Sequence, residues 1–517
     1  MSSSFERRKL LIAAAATGAV AAVPLAPGPA AADTADTAGS RATAGPSGAS
    51  SAAARFDDLD PGVRPPAAWF AGRGCGNQPG PRDLPQDRTA DRILCDTRRP
   101  RIPRRDFLVT EFGGVGDGVT DDSKAIADAI AAASRHGGGR VVLPPDPRTG
   151  TASYFTGPIT LKSRIELHVP TGATVLFNTD PTVYPLVYTR WQGIECYNYS
   201  PNVYAYGATD IAITGGGVLN AQASTSNWWS WKSLEANGFN VLQAYADDDV
   251  PVDQRIMGAG HYLPPTMIEP YHCERVLLQG VTFLNSPFWH LHPTLSEDVT
   301  VEGVRVGPTS GPNTDGCDPE SCTRVVIDHC SISAGDDCMA IKAGRNADGR
   351  RVNVPCTDLV IQNTACANGH GGVTIGSEMT GGVARVYARD LLFSSTELLA
   401  GHRLKTNSVR GGYIEDSNVF RVNAPVIGGP ALIIDYTYGE GDTGAFRPEV
   451  TDINLLHWTV GQATAAWDVI GYTEDHVGTV RLEDFTLAEQ SGANTLEFVD
   501  DFELVDVTID GAPVTGG

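Results

Sequence analysis

Positive charge is what this 517-residue chain has least of: six lysines in all, and 39 Lys and Arg against 61 Asp and Glu, for a net charge of −22. Such a body repels nucleic acid and anionic membrane surfaces, and neither is expected as a partner. An anionic substrate would need local cations to overcome the global field, so each basic residue near a candidate site carries information. Past Leu25 no segment holds the roughly 18 unbroken apolar residues that a membrane span requires. Cys317, Cys322, Cys338 and Cys356 lack paired CxxC spacing, which argues against a zinc site and leaves a Cys317–Cys322 bridge open. Two-residue hairpin turns are sparse, against an antiparallel sandwich. What is plentiful is glycine (57) and proline (34), the composition of a turn-rich β protein.

Residues 1–32 read as an export signal. Arg7-Arg8 precede an Ala-rich apolar run to about Leu25, Pro24 and Pro27 break that run, and Ala30-Ala31-Ala32 offers a small-residue cleavage site. The expectation is a secreted protein exported folded by the twin-arginine route, with a net charge of −24 once Glu6, Arg7, Arg8 and Lys9 are gone. Residues 33–55 are a small-residue linker expected to be disordered. Residues 56–105 are Pro- and Arg-rich and expected to be irregular, and Cys75 and Cys95 within them invite a disulfide. The rest, 106–517, reads as one domain.

That domain begins with a glycine turn at 113–118 and a helix whose apolar places Ile126, Ala129, Ile130 and Ala133 have helical spacing, stopped by Gly137-Gly138-Gly139. No Lys-Ser/Thr follows the turn, so it is not a phosphate loop. An eight-residue pattern then recurs, apolar at its first, third, sixth and eighth places: Val276–Phe283, Val299–Val306, Val325–Ile332, Leu359–Cys366 and Val386–Phe393. It continues loosely near Val419 and again at Ile453–Val460, Val480–Leu487 and Phe502–Ile509. Repeats of this period, each two short strands joined by a bend, predict an all-β parallel β-helix of about ten coils, with the helix capping its N-terminal end. Cys330 and Cys366 fall at inward places and are expected in the core.

Four polar clusters interrupt the repeat: Asn313-Thr314-Asp315, Gly335-Asp336-Asp337-Cys338, Gly369-His370-Gly371-Gly372 and Arg403-Leu404-Lys405. Asp336 lies eleven residues after Val325, and His370 eleven after Leu359. Matching places on successive coils stack at roughly 4.8 Å, so Asp315, Asp336, Asp337, His370, Arg403 and Lys405 form one column. Arg403 and Lys405, two apart on a strand, point the same way. Gly335 would let the chain turn so that both Asp336 and Asp337 serve the site. Three carboxylates this close should repel, raise at least one pKa and keep a proton available.

These clusters, with Asp318 and the flanks at 319–322, 372–378 and 405–408, resemble the family 28 glycoside hydrolases, the polygalacturonases, over roughly 107–510. The resemblance implies a right-handed parallel β-helix and cofactor-free, metal-free hydrolysis of α-1,4-galacturonan with inversion. Asp336 would be the general acid, Asp315 and Asp337 would hold and deprotonate water, and His370 would set the protonation of the cluster. Arg403 and Lys405 would bind a galacturonate carboxylate, Asn313 would orient substrate or Asp315, and Tyr438 resembles the family's late sugar-contacting tyrosine. The partner implied is an acidic plant polysaccharide, and the protein is expected to be a monomer. Residues from about 192 to 270, with Trp228-Trp229-Ser230-Trp231, exceed one coil and must loop out. If they wall the groove the enzyme trims chain ends, otherwise it cuts internally, and the chain is most similar to the bacterial exo-acting branch. A rhamnogalacturonan hydrolase, a calcium-dependent pectate lyase and a non-catalytic binding solenoid are the rival readings.

Overall fold

The computed structural model describes residues 84–515; the expected export signal, the linker and Cys75 lie outside the described residues. Cys95 is disulfide-bonded. In the earlier coils each octet is two strands joined by a bend, and from Val386 onward one strand runs through the bend. The first places Ile211, Val276, Val299, Val325, Leu359 and Val386 pair in one parallel ladder, which continues through Ser417, Ile453, Val480 and Phe502. The octet placed loosely near Val419 in fact starts at Ser417. Its first place is polar, buried and hydrogen-bonded to His402 Nε2 at 3.1 Å, which hides it from an apolar pattern.

The bend is the fifth place. Gly280, Gly303, His329, Asn363, Asp390, Arg421, His457, Asp484 and Asp506 all have φ between 48° and 76°. Six of the nine are Gly, Asn or Asp, which bear the left-handed conformation at least cost. From Asp210 to Asp452 the residue before the octet is left-handed as well, and from Asp210 to Asp416 its charge alternates between coils. Asp210–Arg275, Asp298–Arg324 and Asp358–Arg385 therefore pair at 2.6–2.7 Å.

A third ladder closes the coils: Val203–Tyr206, Ile268–Tyr271, Met339–Ile341, Val373–Ile375, His402–Lys405 and Leu432–Asp435. Single pairings at Leu291 and Cys317 join its two halves. The result is a right-handed parallel β-helix. Octet places one, three, six and eight fill its interior; Val325, Ile327, Cys330 and Ile332 are all at most 1% exposed. Cys330 and Cys366 are buried, unbridged core residues, and Cys317 and Cys322 do not bridge.

The expectation of an irregular 56–105 needs correction, because Pro85–Asp96 is a helix, α1. Its apolar side, Ala90 and Ile93 with Leu84 and Leu94, packs on Val360, Tyr387, Phe420 and Leu456 on the outside of the solenoid. Asp87 receives Arg389 at 2.7 Å and Arg421 at 2.8 Å. Burial pushes its carboxyl up, and the two guanidinium groups outweigh that and leave it below the usual range. The helix depends on this docking more than on local periodicity, which the Pro and Arg content obscures. The helix expected at 124–133 is α2, Ser123–Arg135, and its buried alanines and isoleucines join the solenoid core beside Phe107 and Val141.

The long interval before Ile268 builds a separate lobe. It holds an antiparallel hairpin, Leu186–Trp191 with Ile194–Tyr199, a 3-10 turn at Trp228–Ser233 and helix α3, Glu235–Asp247. Helix α4, Asn346–Val352, packs against it from a later coil. Trp191, Ile194, Cys196, Leu242, Met257 and Leu263 form its own core with Phe288 and Trp289 of the solenoid. Buried ion pairs fasten the two, Arg190 to Glu320 at 3.0 Å and Arg255 to Asp348 at 2.5 Å. Breaking one partner of such a pair typically costs about 3–5 kcal/mol, so the lobe is fixed rather than hinged. No helix among the described residues is long and apolar enough to cross a membrane.

Candidate active site

Coil stacking assembles the polar clusters as their spacing predicts. His370 N–H donates to the Asp336 carbonyl at 3.0 Å, Gly316 N–H to Asp337 at 3.0 Å, and Cys338 N–H to Gly371 at 2.8 Å. Asp336 and His370 therefore share one rung, and Asp315 stacks on Asp337. The chain bends at Gly335–Asp336, so neighbouring carboxylates reach one site. Gly335 is needed for space and not for a left-handed φ: a Cβ there would lie 2.5 Å from Thr314 Oγ1 and from the Gly311 carbonyl.

Carboxylate oxygens of Asp315, Asp336 and Asp337 lie within 4.8 Å of one another. By spacing and donor type they can hold one small cation. Protein groups also answer their charge. Asp337 Oδ2 receives Lys405 Nζ at 2.6 Å, its Oδ1 receives Thr374 Oγ1 at 2.9 Å, and Arg403 Nη1 is 3.7 Å from Oδ1. Asp336 Oδ1 is 3.0 Å from His370 Nδ1 and accepts the Asp337 N–H at 2.9 Å. Asn313 turns to Asp336, its Nδ2 being 3.4 Å from Oδ2, and no hydrogen bond joins its side chain to Asp315. The Asp315 carbonyl receives His290 Nδ1 at 2.9 Å, and burial pushes that imidazole down to about 4, so it is the neutral ring that donates.

The repulsion expected among the carboxylates is there, and its location is informative. Burial, then the Asp318 and Asp336 charges, push the Asp315 carboxyl well above the ordinary range. Asp318 is pushed up in the same way, by burial and by Asp337 and Asp336 against the pull of Lys342. Asp315 Oδ1 and both Asp318 oxygens are buried without hydrogen-bond partners among the described residues. Burial also raises Asp336, yet its His370 hydrogen bond and the charges of His370, Lys405 and Arg403 outweigh this and hold it low. In the ligand-free state Asp315 and Asp318 thus favour the protonated form, while Asp336 favours the ionised form beside His370.

Sequence reasoning quoted Asp318 without giving it a part, and passed over Lys342 and Glu378 as site residues. Glu320 pairs with Lys342, and the same ladder carries Ile375 and Leu404, one residue before Gly376 and Lys405, so Lys342 and Lys405 stand in one column. Lys342 Nζ lies 3.1 Å from Glu378 and 3.8 Å from Asp318, over the Trp289 ring. Tyr438 does reach the site: Arg403 and Lys405 sit 5.6 and 5.2 Å from its ring centre. Asn407 holds it there, donating to the Tyr438 carbonyl at 2.8 Å.

Beside the cluster runs an open groove of about 730 Å³, lined by Trp229, Thr309, Gly335, Asn368, His370 and Leu399 among others. The tryptophans divide their work. Trp228 is buried against Tyr184 and Tyr199, and Trp231 packs on Trp228 with ring centres 4.7 Å apart. Trp229 donates to the Ser286 carbonyl at 2.9 Å and faces the groove. One turn on, Lys232 Nζ donates to Asn313 Oδ1 at 2.7 Å.

The family model for Glycosyl hydrolases family 28 matches residues 257–485. A hyperthermoactive exopolygalacturonase from Thermotoga maritima is 36% identical and superposes with a TM-score of 0.78, over 83% of this chain and 96% of that one. A family 28 exopolygalacturonase from Yersinia enterocolitica shares the fold at 20% identity and a TM-score of 0.63, over 79% and 75% of the two chains. A probable polygalacturonase from Vitis vinifera is 32% identical over 60% of this chain. The chain spans 58% of that relative's length, and 62% and 52% of two from Arabidopsis thaliana. With the four clusters in one column on a parallel β-helix, and the Thermotoga protein matched over nearly its whole length, this chain belongs to the glycosyl hydrolases family 28.

Proposed function

We propose that the protein hydrolyses the α-1,4-galacturonosyl bonds of polygalacturonate, working inward from chain ends. One observation carries the reading: three carboxylates within 4.8 Å stand beside Arg403 and Lys405 in a chain otherwise short of cations. Acid–base hydrolysis needs one proton donor and one ionised base, and an anionic sugar needs the cations.

In this mechanism Asp336 donates to the glycosidic oxygen. The proton is drawn from the Asp336–His370 pair, 3.0 Å apart, and moves to the carboxylate once a bound sugar displaces water and disfavours the ionic form. Asp337, ion-paired to Lys405, accepts a proton from water that Asp315 helps to hold. Arg403 supplies a fork and Lys405 a point charge to the sugar carboxylate, with Tyr438 packed beside them. Inversion follows from the family likeness. The 4.8 Å approach is shorter than the roughly 6.5–9.5 Å usual for inverting carboxylates, so the anomer of the first product, followed by NMR, is a direct check. End-wise action is supported by the lobe, whose Trp229 lines the groove and whose Lys232 meets Asn313 beside the carboxylates. Export by the segment at 1–32 places this activity outside the cell, as a monomer that needs no metal.

Polygalacturonate with excess chelator, products resolved by size over time, tests the reading. Galacturonate monomer from the first minutes is the expected result. Mixed oligomers would overturn the end-wise part and keep the hydrolase. An absorbing, unsaturated product or dependence on calcium would overturn hydrolysis in favour of a lyase. No release would overturn the substrate.

A further inference from the structure

Lysine is rare enough here for its placement to matter. The described residues hold five: Lys124, Lys162, Lys232, Lys342 and Lys405. The first two lie near the N-terminal end of the solenoid, with Lys124 86% exposed and paired along α2 with Asp128. The other three surround the carboxylate cluster. Lys405 neutralises Asp337, and Lys342 is buried among Glu378, Asp318 and Asp315. Lys232 differs from both. Its side chain is 41% exposed, it comes from the lobe and not from a coil, and it is two hydrogen bonds from Asp336, through Asn313.

Its setting is built. Glu235, at the start of α3 and nearly buried, holds the ammonium at 2.8 Å. Asn313 receives it from a left-handed backbone position, φ 51°. Trp229, on the same turn, closes over Gly311, where any Cβ would lie 2.2 Å from the indole. Lys232 Nζ meets Asn313, while Lys405 Nζ reaches back two coils to Asp337, one coil on from Asp315. The two ammonium groups thus answer different members of the cluster, Lys405 the Asp337 carboxylate and Lys232 the Asn313 amide.

We propose that Lys232 binds the carboxylate of a second galacturonate, the chain-end sugar lying across the scissile bond from the one held by Arg403 and Lys405. This rests on the functional reading above and adds what that reading lacks, a charge requirement at the chain end set by a lobe residue. The bound carboxylate takes the place of Asn313 Oδ1 as acceptor for Nζ, which leaves Asn313 to orient Asp336 alone.

Lys232→Met and Lys232→Arg are compared with wild type on trigalacturonate and on trigalacturonate methyl-esterified at the chain-end sugar, with melting temperatures alongside. In the methionine variant KM for the acid is expected to rise about tenfold, the size of one charge-assisted hydrogen bond, with kcat changed less. The preference of wild type for acid over ester should vanish, and arginine should restore most of it. Equal losses on acid and ester would overturn the proposal, since Lys232 would then only pin the lobe. An unchanged KM would overturn it as well. If wild type cleaves neither substrate nor polygalacturonate, the functional reading itself falls, and this inference with it.

Discussion

Asp318→Asn is expected to stabilise the protein at pH 7 while giving no gain at pH 4. Asp318 is fully buried, neither oxygen has a hydrogen-bond partner among the described residues, and its nearest cation, Lys342, is 3.8 Å away. Its carboxyl is held well above the ordinary value by burial and by neighbouring carboxylates. Below about pH 4 it is protonated folded or unfolded. Above that, the unfolded chain releases the proton and the folded chain keeps it, so wild-type stability falls with pH. The slope is about 1.4 kcal/mol per pH unit, up to the raised folded value. Asparagine does not titrate and removes this slope. The amide carries its own cost for lacking partners, about 1–3 kcal/mol, but that cost is the same at every pH and cancels between pH 4 and pH 7. The difference of differences isolates the proton and is at most about 4 kcal/mol by pH 7. Relief of Asp315 from one like charge acts in the same direction. Urea unfolding followed by tryptophan fluorescence at pH 4, 5, 6 and 7 measures it. Curves for wild type and variant that stay parallel across this range would refute the assignment of a retained proton to Asp318.

Asp336→Asn should lower kcat on polygalacturonate by about 10²–10⁴, the usual contribution of a general acid, with KM and melting temperature close to wild type; kcat within tenfold would remove Asp336 from that role. Lys405→Met strips Asp337 of its 2.6 Å partner and should destabilise the fold by about 3–5 kcal/mol. Adding Asp337→Asn should recover part of that loss in a double-mutant cycle. Asp87→Ala removes one of the two α1 carboxylates on the fully buried Arg389 and the α1 partner of Arg421, leaving Asp91 of the same helix and Gln362 on the Arg389 guanidinium. A loss of about 3 kcal/mol, with faster proteolysis between residues 84 and 105, is the expected outcome.

Much of the solenoid was legible because a repeating backbone forces a repeating sequence. Inward places must be apolar, and the bend must accept left-handed φ, so Val325 and Leu359 announce their ladder. Ser417 breaks the pattern at a first place and was legible only by its partners, Val386 and Ile453. The column Asp315, Asp337 and Asp336, His370 was legible for the same reason, since equal offsets from paired strands stack. The partners of Asn313 and the sites of the retained protons were not. Both depend on the position of oxygens relative to Lys232, Lys342 and His370, which offset along a coil does not encode.

α1 and the lobe mark the boundary between the two kinds of information. In a parallel β-helix each residue's neighbours lie one coil away, so a local pattern suffices to specify the coil, its interior and the column of polar groups. α1 and Lys232 meet partners hundreds or tens of residues distant with no period linking them, Asp87 with Arg389 and Lys232 with Asn313. Sequence alone determined the scaffold and the inventory of polar groups in the column. Only the tertiary structure decided which carboxylates of that column lie beside cations and which lysine the lobe brings to Asn313, because both follow from packing between segments that share no repeat.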